Sequence, residues 1–212
     1  GFADADVINE LVNWERFKNP LTDLFIEQGK LPLVAHYLKE FKRLNPDVGS
    51  VVNDYETSPR YYFLLKDLIE AGTPIDMVGQ QSHMHNGSWP LTTVWNVVNR
   101  LALLKRPILF TELSVISGPP QKFNWKDKIE GWVTDPEHEL VQADYMEKLY
   151  RILYSHPSVA GIVIWNYSDR HTWLKCPVGI LREDGTPKPA YDRLDALINR
   201  QWRTRGEFIT DE

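Results

Sequence analysis

The sequence is poor in cysteine, in positive charge and in long apolar runs, and each shortage excludes a class of protein. Cys176 is the only cysteine of the 212 residues, which excludes an intrachain disulfide and a cysteine-based zinc or iron–sulfur centre. The net charge of -5 disfavours nucleic acid as a partner. Apolar runs fall short of the roughly 20 residues of a membrane span, so no membrane partner is expected.

Aromatic residues are plentiful in an otherwise ordinary globular composition. Tryptophan, tyrosine and phenylalanine number 8, 9 and 8, or 12% of the chain, and several of them cluster in loops. Sugars stack on such rings, although most aromatic side chains in any domain belong to its core. The composition therefore allows a carbohydrate site without requiring one.

Short apolar runs alternate with helical patterns along the chain. The predicted strands are 4–9, 49–53, 75–81, 107–111 and 159–165, and the predicted helices are 31–44, 59–71, 91–104, one after a capping box of Thr134 and Glu137, and 190–198. This alternation predicts βαβ units and a parallel sheet, an α/β class. In such folds the chemistry gathers at the carboxyl ends of the strands.

Two glutamates end predicted strands. Glu10 follows the first predicted strand and Glu112 follows the fourth. Two carboxylates at such strand ends can flank a glycosidic bond, one protonating the leaving oxygen while the other attacks the anomeric carbon. A lone glutamate in such a place is more often solvated or a helix cap. His83, His85 and Glu112 suggest a metal set, but the helical two-histidine spacing is missing, so we expect no metal and no cofactor.

Five ordered segments resemble glycoside hydrolase family 10, whose founding members are β-1,4-xylanases. They are 7–10, 51–55, 79–83, 110–113 and 165–173, which are similar in order to the motifs of the fourth to eighth strands of the family's barrel. The resemblance implies a (β/α)8 TIM barrel of which this chain supplies about strands 4 to 8 with their helices. It identifies Glu10 as the general acid/base and Glu112 as the nucleophile that forms a glycosyl-enzyme intermediate.

The resemblance also implies a set of positioning and substrate-binding residues: Asn9, Tyr55, Gln81, His83, Trp165 and Trp173. The asparagine would bond the sugar hydroxyl next to the anomeric carbon, and the two tryptophans would form an apolar floor under the reacting ring. The tyrosine, glutamine and histidine would position the carboxylates.

The chain departs from the family pattern at one site residue and in length. Ser114 stands where the family usually has an aspartate that orients the histidine, so we expect a neutral His83 and a changed rate, pH optimum or substrate. A complete barrel needs about 250 residues. Residues 1–212 are therefore predicted to be the C-terminal portion of one catalytic barrel, with strands 1 to 3 on a second polypeptide or an earlier part of this one.

The leading hypothesis is a retaining endo-β-1,4-glycosidase that acts on xylan outside the cytoplasm, in an extracellular or periplasmic location, because polymeric xylan cannot enter. A second hypothesis replaces xylan by another β-glycan or an oligosaccharide, because of Ser114 and a long loop with Trp125 and Trp132. A third is a carbohydrate-binding fragment without turnover, because three strands are missing.

Overall fold

The computed structural model describes residues 3–122, 124, 129–203 and 206. Its strands are β1 Asp4–Asn9, β2 Gly49–Asp54, β3 Met77–Gln80, β4 His83–Met84, β5 Ile108–Val115 and β6 Val159–Ile164. Its α-helices are α1 Pro20–Gln28, α2 Lys30–Leu44, α3 Pro59–Glu70, α4 Leu91–Ala102, α5 Pro136–Ser155 and α6 Pro189–Ala196. Short 3-10 turns cover Trp14–Arg16 and Trp173–Lys175, and a π turn covers Leu197–Gln201.

The strands form one sheet in the order β1-β2-β3-β5-β4, with β6 also paired to β5. The pairs β1/β2, β2/β3, β3/β5 and β5/β6 are all parallel. The predicted α/β class is therefore confirmed. The predicted run 75–81 was too long, since β3 covers only Met77–Gln80, and the run 107–111 was too short, since β5 continues to Val115.

Helix starts follow local hydrogen bonding. Ser58 accepts a bond from the backbone amide of Arg60 at 3.3 Å ahead of α3, as the sequence predicted. The capping box predicted for α5 was wrong. The backbone amide of His138 bonds to Asp135 at 3.0 Å, whereas the Thr134 hydroxyl donates to the carbonyl of Ser117 at 2.8 Å.

Helix α1 was not predicted from the sequence, although its start carries a recognisable signal. The side chain of Asn19 accepts from the amide of Thr22 at 3.0 Å, and Pro20 occupies the first helical position. Only Phe25 of this helix is buried, so its apolar periodicity is weak.

The chain divides into two compact units. The first contains Gly1–His83, Trp89–Leu113 and Ile152–Trp165, and the second contains Met84–Ser88, Ser114–Arg151 and Asn166–Glu212. The second unit has a core cluster of Ile116, Trp132, Leu174, Cys176 and Val178. Within it, the indole of Trp132 is 4% exposed and donates to the carbonyl of Pro119 at 2.9 Å. Trp132 is thus a core residue, and Trp125 lies outside the described residues.

The strands β1 and β6 are edges of the sheet. Within the described ranges, β1 pairs only with β2 and β6 only with β5. Asp4 and Asn9 of β1 are exposed, and so are Ala160 and Val163 of β6. Each edge leaves one row of backbone polar groups available to a further strand.

A buried ion pair lies in the second unit. The side chain of Lys188 is fully buried, and its Nζ lies 2.6 Å from Oδ2 of Asp169, 2.7 Å from Oγ of Ser117 and 2.9 Å from the carbonyl of Gly179. Burial lowers the pKa of Lys188 and raises the pKa of Asp169, and the attraction between the two charges opposes both shifts. Each charge therefore depends on its partner.

Replacing Lys188 by methionine should lower the free energy of unfolding by about 3–5 kcal/mol, because Asp169 is left buried and unpaired. The measurement is urea unfolding at neutral pH. The control is Lys175→Met, whose ion pair with Glu130 is exposed, and which should change stability by less than about 1 kcal/mol. Equal effects of the two substitutions would contradict a stabilising role for the buried pair.

Candidate active site

The two candidate carboxylates belong to the first unit. Glu10 directly follows β1, where its backbone amide bonds to the carbonyl of Asn53 at 2.8 Å. Its φ of 58° places it in the left-handed region, which is unusual for glutamate. Glu112 lies within β5, and its side chain is 14% exposed.

A chain of side-chain amides joins the two carboxylates. Nε2 of Gln81 lies 3.2 Å from Oε1 of Glu10 and 2.9 Å from Oδ1 of Asn9. Nδ2 of Asn53 lies 3.1 Å from the same oxygen of Asn9 and 3.0 Å from Oε1 of Glu112. The predicted residues Asn9 and Gln81 thus lie beside the predicted carboxylates.

The position of Asn53 is fixed from three strands. It is fully buried, and its Oδ1 accepts the hydroxyl of Thr111 at 2.7 Å. A Cβ on Gly79 of β3 would lie 2.6 Å from that same oxygen, so only glycine leaves room for the amide. Sequence analysis included Asn53 in a motif but gave it no role, because burial at a hub of hydrogen bonds is not visible in a strand pattern.

Irregular pairing turns neighbouring side chains toward Asn53. The registers shift between Asp6 and Ile8 in β1 and between Phe110 and Leu113 in β5. In a regular strand adjacent side chains face opposite ways, but here Thr111 and Glu112 both bond to Asn53. The bulges therefore aim the polar groups at the site.

His83 contacts the second carboxylate directly. Its Nε2 lies 2.8 Å from Oε2 of Glu112, and its ring packs edge-on against Trp165 at 5.8 Å between centroids. The histidine side chain is 10% exposed and the tryptophan is 41% exposed. Both oxygens of Glu112 thus have a partner, and a partly exposed indole packs against one of these partners.

Tyr55 is connected to Glu10 through Arg16, which sequence analysis missed. Its hydroxyl accepts from Nδ2 of Asn13 at 2.8 Å and from Nη1 of Arg16 at 3.2 Å. Nη2 of Arg16 donates to Oε2 of Glu10. The arginine follows the motif by six residues on a 3-10 turn, where its spacing carries no strand or helix signal.

Trp173 belongs to the second unit, unlike the other seven predicted site residues. Its indole is 40% exposed and packs edge-on against His85 at 5.4 Å between centroids. Ser114 also belongs to the second unit and is buried. The role assigned to Trp173 under the reacting sugar stays a prediction, and so does the effect expected of Ser114 in place of the usual aspartate.

A third carboxyl group lies on the same network. Oδ2 of Asp6 is 3.2 Å from Nδ2 of Asn53. Burial is the first cause that raises the pKa of Asp6, and the negative charge of Glu112 is the second, whereas the hydrogen bond from Asn53 lowers it.

In the described part of the chain, histidine, cysteine and acidic side chains form no group of three or more suited to a metal ion. Within the same part, every helix is too short or too polar to cross a membrane.

Parallel strands of an α/β fold with two carboxylates joined by an amide network define a glycosidase-like barrel segment. The model of the family described as "Glycosyl hydrolase family 10" matches residues 2–196. The chain belongs to glycosyl hydrolase family 10. The family resemblance and the partial barrel expected from the sequence are thereby confirmed.

Curated relatives include the Anti-sigma-I factor RsgI6 of Acetivibrio thermocellus, 26% identical over 99% of this chain and 24% of that protein. Another is an endo-1,4-beta-xylanase of Geobacillus stearothermophilus, 28% identical over 89% of this chain and 60% of that protein. The crystal structure of xylanase 10B from Thermotoga petrophila RKU-1 in complex with xylobiose aligns with a TM-score of 0.76 at 21% identity, over 94% of this chain and 60% of that one. The chain thus spans about a quarter to three fifths of these relatives.

Removing the charge of Glu112 should lower the pKa of Asp6, because that charge is one cause of its rise. The measurement is a carboxyl ¹³C NMR titration of the unchanged chain and of Glu112→Gln. Burial, the larger cause, persists in the variant, so the pKa of Asp6 should stay above the ordinary 3.8.

Asp54 is the internal control for this titration. Burial raises its pKa first of all, hydrogen bonds from the backbone amides of Val12 and Glu56 lower it, and the charges of Glu10 and Glu56 add to the rise. Its pKa should therefore be unchanged in the variant. An equal shift at Asp6 and Asp54, or a shift at neither, would contradict the arrangement of charges described above.

Proposed function

We propose that this chain carries the catalytic residues of a retaining endo-β-1,4-glycosidase that hydrolyses xylan. The observation that carries the proposal is the amide network, which holds Glu10 and Glu112 at its two ends and gives each a different set of partners. Glu112 is fixed by Asn53 and His83, and Glu10 by Gln81 and Arg16. Membership of the family and the xylanase relatives support this reading.

The first half-reaction uses both carboxyl groups. An oxygen of Glu112 attacks the anomeric carbon while Glu10 gives its proton to the leaving oxygen, so a carbon–carboxylate bond forms as the glycosidic bond breaks. Partners on both oxygens of Glu112 limit its rotation, which keeps one lone pair in line with the carbon.

In the second half-reaction water replaces the enzyme at the anomeric carbon. Glu10, now ionised, takes a proton from water, whose oxygen bonds to the carbon as the bond to Glu112 breaks. The configuration at the anomeric carbon is inverted twice and thus retained.

Substrate contacts follow from the exposed side chains around the carboxylates. Asn9, which is exposed at the end of β1, would bond the sugar hydroxyl next to the anomeric carbon. Trp165, about two fifths exposed, would lie under the ring. A polymeric substrate requires action outside the cytoplasm, in an extracellular or periplasmic location.

The catalytic barrel requires strands beyond the six described here. We infer that a segment pairing with the free edges of β1 and β6 completes it, either on the same polypeptide or on a second one. The test is the particle mass of purified active material by light scattering. Full activity at a mass near 24.7 kDa would contradict the completed barrel.

The nucleophile is tested by Glu112→Gln in the full polypeptide. The substitution keeps the size of the side chain but removes its nucleophilic charge, so reducing-sugar release from β-1,4-xylan should fall by at least about 10³-fold. Glu40→Gln is the control, because Glu40 pairs with Arg43 on the surface of α2, and its activity should be unchanged. Activity within tenfold of the unchanged protein in Glu112→Gln would reject this role.

The acid/base is tested by Glu10→Ala with added azide. An aryl leaving group as acidic as dinitrophenol needs no proton, so its release in the first step should persist in this variant. The second step should then be restored by azide, which needs no base and yields a β-glycosyl azide. An α-configured azide product, or no effect of azide, would contradict the assignment of Glu10.

Carbohydrate binding without turnover is a second candidate function. One relative, which aligns with 99% of this chain, is an anti-sigma-I factor by name. It predicts xylo-oligosaccharide binding by calorimetry with no sugar release in the full polypeptide. Sugar release that depends on Glu112 would reject it.

A further inference from the structure

Both oxygens of Glu10 accept a hydrogen bond from a protein donor. Oε1 accepts from Nε2 of Gln81 at 3.2 Å, and Oε2 accepts from Nη2 of Arg16. The two donors differ in kind, since an amide is neutral and a guanidinium always carries a positive charge. The Glu10 side chain is 21% exposed, so the ion pair is partly shielded from water.

Arg16 is held in place by contacts other than Glu10. Its guanidinium carbon lies 4.5 Å from the centre of the Phe17 ring and 4.9 Å from that of Tyr55. Its Nη1 also donates to the Tyr55 hydroxyl at 3.2 Å. Stacking on aromatic faces pre-orients the planar guanidinium, so the donor reaches Glu10 from a fixed direction.

This arrangement suits one of the two states that Glu10 passes through. An ionised carboxylate offers about four lone-pair sites, so two donors leave room for a water molecule. A protonated carboxyl group, in contrast, gains less from a neighbouring guanidinium, because the attraction between opposite charges is lost. The two contacts therefore fix the direction of both oxygens in the form of Glu10 that acts as a base.

We propose that Arg16 is a positioning residue for the second half-reaction, holding Glu10 as an oriented carboxylate when water attacks the glycosyl-enzyme. The inference rests on the proposed retaining function. In this step a water oxygen bonds to the anomeric carbon, the carbon's bond to Glu112 breaks, and the water proton passes to Glu10. Arg16 gains and loses no proton.

The test separates the two half-reactions with 2,4-dinitrophenyl 2-deoxy-2-fluoro-β-xylobioside. Its leaving group departs without a proton, and the fluorine slows both steps so that the glycosyl-enzyme accumulates for mass measurement. After excess reagent is removed, recovery of activity measures the second step alone. The full polypeptide is compared with Arg16→Leu and Arg16→Lys.

Arg16→Leu should slow recovery about tenfold, the value of one charge-assisted hydrogen bond, while the rate of adduct formation stays within about twofold. Arg16→Lys keeps the charge without the planar stacking, so its recovery rate should lie between those of the unchanged protein and Arg16→Leu. Arg151→Leu removes an arginine of equal side-chain exposure that pairs with Glu147 on α5, and it should change neither rate.

Recovery within twofold in Arg16→Leu would overturn the proposal, and so would an equal slowing of adduct formation and recovery, which a general loss of structure would cause. A missing adduct on Glu112 in the unchanged protein would reject the retaining function itself. The two failures are therefore distinguished in one experiment.

Discussion

The side-chain amide of Asn53 is the constraint on which the candidate site depends. It lies fully buried at the end of β2, and its hydrogen bonds reach Asp6, Asn9, Thr111 and Glu112 on the two flanking sides. A donor NH2 in that position neutralises part of the repulsion among the three acidic and amide oxygens around it. Without this amide, the carboxylates of Asp6 on β1 and Glu112 on β5 would lose the hydrogen-bond donor that they share.

The sheet makes this arrangement possible through two local departures from regular pairing. The register shifts in β1 and β5 bring side chains that would alternate between faces onto one face. Gly79 supplies the space for the amide, because a methyl group there would overlap it. Parallel pairing then places the ends of β1, β2 and β3 together, so Glu10 and Gln81 meet.

Much of the fold follows from the sequence, because buried parallel strands and amphipathic helices carry strong periodic signals. The predicted runs 4–9 and 49–53, observed as strands Asp4–Asn9 and Gly49–Asp54, and the helix opened by Ser58 show this. Elements with few buried residues were not predicted, and α1, in which only Phe25 is buried, is an example. The cap of α5 was misplaced by one residue because Thr134 and Asp135 are both good cap residues, and tertiary bonds to Ser117 engage the threonine.

The candidate site is predictable only in part for a related reason. Motif order indicated Glu10 and Glu112, since both follow predicted strands that also carry family-like neighbours. Arg16 lies in a 3-10 turn, and its role depends on which way a flexible side chain folds back. Such contacts are set by three-dimensional packing against Phe17 and Tyr55, which no local pattern records.

The most direct test of the central claim is the anomeric configuration of the first product, followed by ¹H NMR during hydrolysis of a xylo-oligosaccharide by the full polypeptide. The account predicts that the new reducing end appears as the β anomer, and that the α anomer grows later by mutarotation. First appearance of the α anomer would contradict the account, because water would then have attacked without a covalent intermediate on Glu112.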